Sequence, residues 1–202
     1  MAFNVRQASL SDIPAMIDTY YDAFDGHPFL IRVYGPRSKE MDAHLAKSME
    51  SEIQDPNSRY LVLTELNSKG QENIIALGKW LVLTPTSPPS PPLALPAEAD
   101  VAFVEGFLGV IIKKHKEIMQ DRPHWYLDVL GVRRGSRRQG AGQQLLRWGL
   151  SKADQDGVET FLAASPAGVP LYEKNGFKIM EQVLLDEGTR LETFMVRPAK
   201  KA

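Results

Sequence analysis

An apolar run, Trp125–Val132, leads into Arg133–Gly142, a loop of four arginines and three glycines, and that loop opens the amphipathic segment Gln143–Asp156. This order narrows the possible topologies. A helix that follows a strand crosses back over the sheet, so the next apolar run, Val158–Ala164, is expected to lie parallel to the first. Leu145, Leu146, Leu150 and Ala153 share one helical face, and Gly157 marks the helix end. At the other end, Gly140 and Gly142 remove side chains where the helix begins. The first N–H groups of a helix are unpaired and carry about half a positive charge. Glycine lets an anion reach them, and Arg137 and Arg138 add charge beside them. Such a loop suits phosphate, most simply a pyrophosphate. The bland alternative is a solvated basic turn. The loop is neither a Walker loop nor a Rossmann fingerprint.

The rest of the chain supplies strands and helices around this unit. Phe3–Ala8 alternates weakly, as a strand does. Ser11 and Asp12 start a helix whose apolar face is Ile13, Met16, Ile17, Tyr20 and Phe24, and Asp25-Gly26-His27-Pro28 breaks it. Ser38 to about Ile53 reads as a second helix. Arg59–Leu66 and Ile74–Leu83 read as a hairpin. Pro85–Pro96 holds six of the fourteen prolines and can be neither helix nor central strand. It is expected to be a surface insert, at about 84–99, within one domain spanning 1–202. Asp100 caps a helix to about Gln120. Pro166–Asn175 is expected as a short helix, with Phe177–Leu184 and Arg190–Val196 as closing strands joined through Asp186-Glu187-Gly188. The fold class is therefore α/β, or mixed α+β, with a partly parallel sheet.

Composition removes several functions. The 202 residues carry a net charge of −1, which argues against a domain built to coat nucleic acid. There is no cysteine, so disulfides, thiol catalysis and Cys-ligated metals are excluded. His27, His44, His115 and His124 show no metal-ligand spacing, and no metal is expected. No apolar run reaches the roughly 18 residues of a membrane span, and a cytoplasmic protein without a membrane partner is the default.

A second stretch, Leu171-Tyr172-Glu173-Lys174-Asn175-Gly176-Phe177, follows the loop by some thirty residues. By itself Tyr172 reads as a packed core tyrosine. Together, the loop and this stretch resemble the GNAT superfamily of N-acetyltransferases. Val132, Arg137, Gly140 and Gly142 match that family's acetyl-CoA signature, and Leu171, Tyr172, Gly176 and Phe177 match its later motif. The likeness is specific from about Trp125 to Leu184. Arg134 stands in place of a frequent proline, Ala141 of a larger aliphatic, Ser165 of an asparagine and Gly168 of an alanine.

The resemblance implies a twisted mixed sheet of about seven strands, flanked by helices and splayed between its two central parallel strands. It implies acetyl-CoA as the acyl donor. The cofactor set would be Leu130, Gly131, Val132, Arg137, Arg138, Gln139, Gly140, Ala141, Gly142, Gln143, Ser165 and Tyr172. The Leu130 N–H would steady the developing oxyanion. Tyr172 would protonate the leaving thiolate, and Asp128 would accept the ammonium proton through water, unless it is a structural carboxylate. Tyr126 and Asp128 share a strand face. The acceptor side would use Phe24, Asp25, Phe29, Tyr34, Trp80 and Tyr126, an aromatic pocket with one acid that suits an amine on an apolar body. His124, at the strand start, is a third and weaker candidate, with a surface residue as the preferred reading. The expected activity is transfer of acetyl to a small primary amine by direct attack in a ternary complex, in a monomer or homodimer. A protein or peptide acceptor and a non-catalytic acyl-CoA-binding module are the alternatives.

Overall fold

Seven strands form one sheet in the order β1-β2-β3-β4-β5-β7-β6. The computed structural model describes residues 3–67, 70–88, 95–185 and 188–200. The centre of the proline-rich insert and two residues of the last turn, Asp186 and Glu187, lie outside them. The described insert residues, 85–88 and 95–96, belong to no helix or strand.

The strands β1 (Asn4–Gln7), β2 (Ser58–Leu66), β3 (Glu72–Leu83) and β4 (His124–Val132) pair in that order, each antiparallel to the one before. Between β1 and β2 lie α1 (Ile13–Ala23) and α2 (Lys39–Gln54); α3 (Val101–Met119) connects β3 to β4. The caps work as expected. Ser38 Oγ accepts from the Met41 N–H at 3.2 Å, and Asp100 accepts from the Phe103 N–H at 3.0 Å. Near the first helix, the start signal yields a short turn at Leu10–Asp12 before α1. Asp12 there is held by Arg6 at 2.7 Å, which pulls its carboxyl down to about 2.

The crossover α4 (Ala141–Asp156) joins β4 to β5 (Glu159–Ala164), and these two strands are parallel. The short α5 (Val169–Glu173), β6 (Lys178–Leu185) and β7 (Arg190–Arg197) complete the chain. Helix α5 is half the expected length. The residues on either side of it form turns, and Gly176 at φ 88° ends the segment.

Two cores sandwich the sheet. One lies under α1, α2 and α3, and the other lies under α4 and α5. Trp80, expected at the acceptor site, belongs to the second core. It is wholly buried, beside Trp125 and against Gly149 of α4. Consecutive strand residues face opposite ways. Lys79 pairs with Glu52 of α2 and so takes the face under α1, α2 and α3, and Trp80 therefore takes the other.

Parallel pairing of β4 with β5 ends at Leu127 and Leu162. Beyond that point the strands part. The divergence begins at a bulge, because Trp80 lies opposite Leu127 and Lys79 opposite Val129, leaving Asp128 as the extra residue.

Candidate active site

The loop from Arg133 to Gly140 opens at the splayed end of β4 and β5. Arg138 and Gly140 both take left-handed backbone conformations, with φ 62° and 91°. Among the described residues, the N–H groups of Gln139, Gly140, Ala141, Gly142 and Gln143 meet no backbone acceptor; the first helical bond is donated by Gln144 to the Gly140 carbonyl at 3.1 Å. A β-carbon added at Gly140 would meet nothing within 4 Å. The result is an open run of five donors on the positive end of a 16-residue helix, which fits a pyrophosphate. Helix α4 begins at Ala141, two residues earlier than expected, and Ala141 itself is packed into the core.

Three of the four arginines in this loop bind other residues of the chain. Arg133 Nε donates to Thr19 Oγ1 at 3.0 Å. Arg134 pairs with Asp25 at 2.6 Å, and its own N–H donates to Asp22 at 2.7 Å. Arg137, expected to hold phosphate with its charge, donates instead to the carbonyls of Ala23 at 2.8 Å and Val132 at 3.3 Å. Its side chain fastens the loop to α1. Arg138 is exposed, and its side chain has no hydrogen bond or ion pair among the described residues. Gln143 exchanges two amide hydrogen bonds with Asn175, at 2.7 and 3.0 Å, and so ties α4 to the Tyr172 segment. Only its backbone remains for a ligand.

Tyr172 is buried, with its ring against Phe177 at 5.8 Å. Gly168 is explained by this ring, since a β-carbon there would lie 2.9 Å from Tyr172 Cε2. Burial raises the phenol's pKa, and the charge of Glu192 adds to the effect. Tyr172 therefore keeps its proton over the working range. Ser165 follows β5 and accepts the Gly168 N–H at 2.9 Å, which turns the chain toward α5.

On the opposite face, Asp128 and Tyr126 come near each other as expected, and the Asp128 charge adds to burial in raising the Tyr126 phenol. Asp128 also pairs with Lys79 Nζ at 2.7 Å, and the same ammonium holds Glu52 Oε1 at 2.6 Å. Neither Lys79 nor Glu52 was singled out in the sequence, although a lone lysine in an apolar strand and a glutamate three residues after Met49 on a buried helical stripe were visible signals. Burial opposes the Lys79 charge, but Asp128 and Glu52 outweigh it, and its pKa rises above the ordinary range. Burial raises Glu52, more than Lys79 lowers it.

Phe24, Phe29 and Tyr34 do gather with Tyr20 and Phe107, at ring separations of 4.8 to 6.3 Å. Phe24 lies against Gly131, where a β-carbon would be 2.9 Å from its ring. Asp25 is not the acid of this cluster. It is exposed and paired with Arg134 at the rim. Glu192, which was not singled out, is buried on β7 beyond the end of the β5 pairing. It pairs with Arg190 at 3.2 Å, and its charge reaches both Tyr126 and Tyr172.

His124 is also a correction, because it is buried rather than at the surface. Its Nδ1 donates to the Arg122 carbonyl at 2.7 Å, and its Nε2 lies 2.7 Å from His115 Nε2. Burial, helped by His124, pushes His115 down to about 4; burial also pushes His124 down. An unfolded histidine binds its proton near pH ~6.5. Between that pH and 4 the unfolded chain binds more protons, so stability is full above the range and falls as pH drops through it. His27, also pushed to about 4 by burial and then by Arg190, has the same sign. Urea unfolding is expected to lose up to about 3 kcal/mol per such histidine between pH 7 and 4. The loss should be smaller in His115→Gln.

A profile of the acetyltransferase (GNAT) family matches residues 30–177. The chain belongs to the GNAT family. It is an acetyl-CoA-dependent N-acetyltransferase, and the open N–H run of α4 suits the pyrophosphate of that donor. The fold of this GNAT protein is shared with a histone acetyltransferase HPA2 and related acetyltransferase of Corynebacterium glutamicum, at 21% identity and TM-score 0.65 over 100% of this chain and 99% of that one. It is shared with a mosquito arylalkylamine N-acetyltransferase like 5b, at 12% identity and TM-score 0.65 over 98% and 100%. The PaiA N-acetyltransferase of Thermoplasma acidophilum, solved in complex with coenzyme A, aligns at 14% identity and TM-score 0.57 over 98% and 99%. Among the described residues of this GNAT chain, no helix is long and apolar enough to cross a membrane.

Proposed function

We propose that the protein moves an acetyl group to the primary amine of a small molecule by direct attack in a ternary complex. What supports this reading is that Tyr172 packs in the core under α4 and α5 while Asp128 pairs with Lys79, near where β4 and β5 cease to pair and the α4 N–H run opens. Bound acetyl-CoA supplies an activated thioester carbonyl. The backbone from Arg138 to Gln143 holds its pyrophosphate, with the exposed Arg138 side chain beside it. The Leu130 N–H donates to the carbonyl oxygen as charge develops there. Asp128, directly or through water, takes one proton from the incoming ammonium. Tyr172 gives its proton to the departing sulfur and is restored by the second proton that the nitrogen sheds after attack. The sum releases one proton to solvent. The aromatic cluster of Phe24, Phe29 and Tyr34, with Tyr34 near Glu52 and Lys79, favours an amine on an apolar body.

Thermal unfolding with acetyl-CoA tests the donor site. At 100 times its Kd the ligand adds about 2.7 kcal/mol, or roughly 5–11 °C for this size. Gly140→Asp, which places a carboxylate on the N–H run, is expected to abolish the shift. A full shift in Gly140→Asp would remove the pyrophosphate from this loop. Thiol release with small arylalkyl and aliphatic amines, set against lysine and N-terminal peptides, tests the acceptor. A higher kcat/KM for the peptides would overturn the small-molecule reading.

A further inference from the structure

We propose that Asp128, Lys79 and Glu52 accept the ammonium proton as one unit, with Glu52 setting the basicity of Asp128. This rests on the reading of Asp128 given above. The geometry is that of two carboxylates on one ammonium, Lys79 Nζ standing 2.7 Å from Asp128 and 2.6 Å from Glu52. The Lys79 side chain is only 11% exposed, so the cluster sits largely away from water, while Asp128 at 28% still reaches the cleft. With both carboxylates ionised the cluster carries one net negative charge. A partly buried excess charge is unfavourable, and a single proton cancels it. A lone aspartate, with a reference pKa of ~3.9, is a poor acceptor from an ammonium; an aspartate whose counter-ion is shared with a second carboxylate is a better one. In the step, an N–H bond of the ammonium breaks and an O–H bond forms on Asp128. The amine is left neutral with its lone pair free, and the cluster moves from −1 to zero. Water later removes the proton.

The surroundings leave this unit as the group that titrates. From α1, the 30–34 turn and β2, the phenols of Tyr20, Tyr34 and Tyr60 face it, and burial raises all three, Tyr34 to about 12. Tyr126 of β4 is raised as well, first by burial and then by the Asp128 charge. Asp55, just past α2, adds negative charge near Glu52; His115 of α3 lies close enough to sense Asp128; and Glu192 of β7 acts on Tyr126. The direction for Glu52, raised by burial against the pull of Lys79, agrees with a cluster that has room for one proton.

Carboxyl 13C NMR of the full chain, titrated without substrate, provides the test. The wild type is expected to show one cluster carboxyl protonating above the ordinary range. In Glu52→Gln, which keeps the side chain's size, the Asp128 titration should move down by at least about one pH unit. The acid limb of kcat/KM for acetyl transfer to 2-phenylethylamine should follow it in the same direction. Glu192→Gln should leave the Asp128 titration in place. An Asp128 titration that does not move in Glu52→Gln, or one that moves instead in Glu192→Gln, overturns the proposal. The acetyl-CoA thermal shift of Glu52→Gln should equal that of the wild type. Loss of that shift in the wild type would instead defeat the donor-site reading, so the two failures are distinguishable.

Discussion

Replacing Tyr172 by phenylalanine is expected to lower kcat by about a hundredfold to a thousandfold, within the usual range for removing a general acid. At about 1.36 kcal/mol per factor of ten, that is roughly 3–4 kcal/mol of transition-state stabilisation. The variant isolates the proton. Phenylalanine keeps the ring that packs on Phe177 and fills the space left by Gly168, so the fold and the α4 N–H run should be undisturbed. The acetyl-CoA thermal shift should therefore be retained. Single-turnover thiol release beside that shift separates the outcomes. A rate within threefold of the wild type, with binding intact, would reduce Tyr172 to a packing residue.

The largest effect on stability is expected from Gly149→Ala. A β-carbon there would sit 2.1 Å from Trp80 Cε2 and 2.4 Å from Cζ2. The indole has nowhere to move, being wholly buried and set against Trp125 at 6.2 Å. Alanine improves helix propensity over glycine by about 1 kcal/mol, but overpacking of this severity costs about 3 kcal/mol or more. Overpacking wins, and a net loss of about 2 kcal/mol should lower the midpoint by roughly 4–8 °C. Gly109→Ala is the control. It lies inside α3 with nothing within 4 Å of a would-be β-carbon, so the same substitution should be neutral or slightly stabilising. Equal midpoints for the two variants would contradict the packing of Trp80 against α4.

What could be read from the sequence, and what could not, divides by distance along the chain. The loop and its open helix start were legible because they lie in consecutive residues, glycines ahead of an amphipathic run. The pairing of Tyr126 with Asp128 was legible because two residues on one strand share a face. The Lys79 cluster was not, since Glu52 and Lys79 meet across 27 residues and the third member comes from another strand. Trp80 was misplaced for a related reason. An aromatic residue in a strand buried on both faces gives little sign of its own face, and Gly149, far downstream, reveals which side has room for an indole. Asp25 and Arg137 were assigned to ligands because unpaired charge near a site invites that reading. In the fold they face residues more than a hundred positions away.

The arginine contacts between the phosphate loop and α1 bear on how this enzyme can be altered. Arg133, Arg134 and Arg137 attach the loop to Thr19, Asp22, Ala23 and Asp25, and Gly131 seats Phe24 on the strand that feeds it. The first helix is thus a shared foundation, with one side turned to the proposed acceptor cluster and the other fastened to the loop before α4. Redesign for a new amine is confined to the segment from His27 to Tyr34, to α2 and to α3. Changes in the last turn of α1 would carry over into the grip on acetyl-CoA.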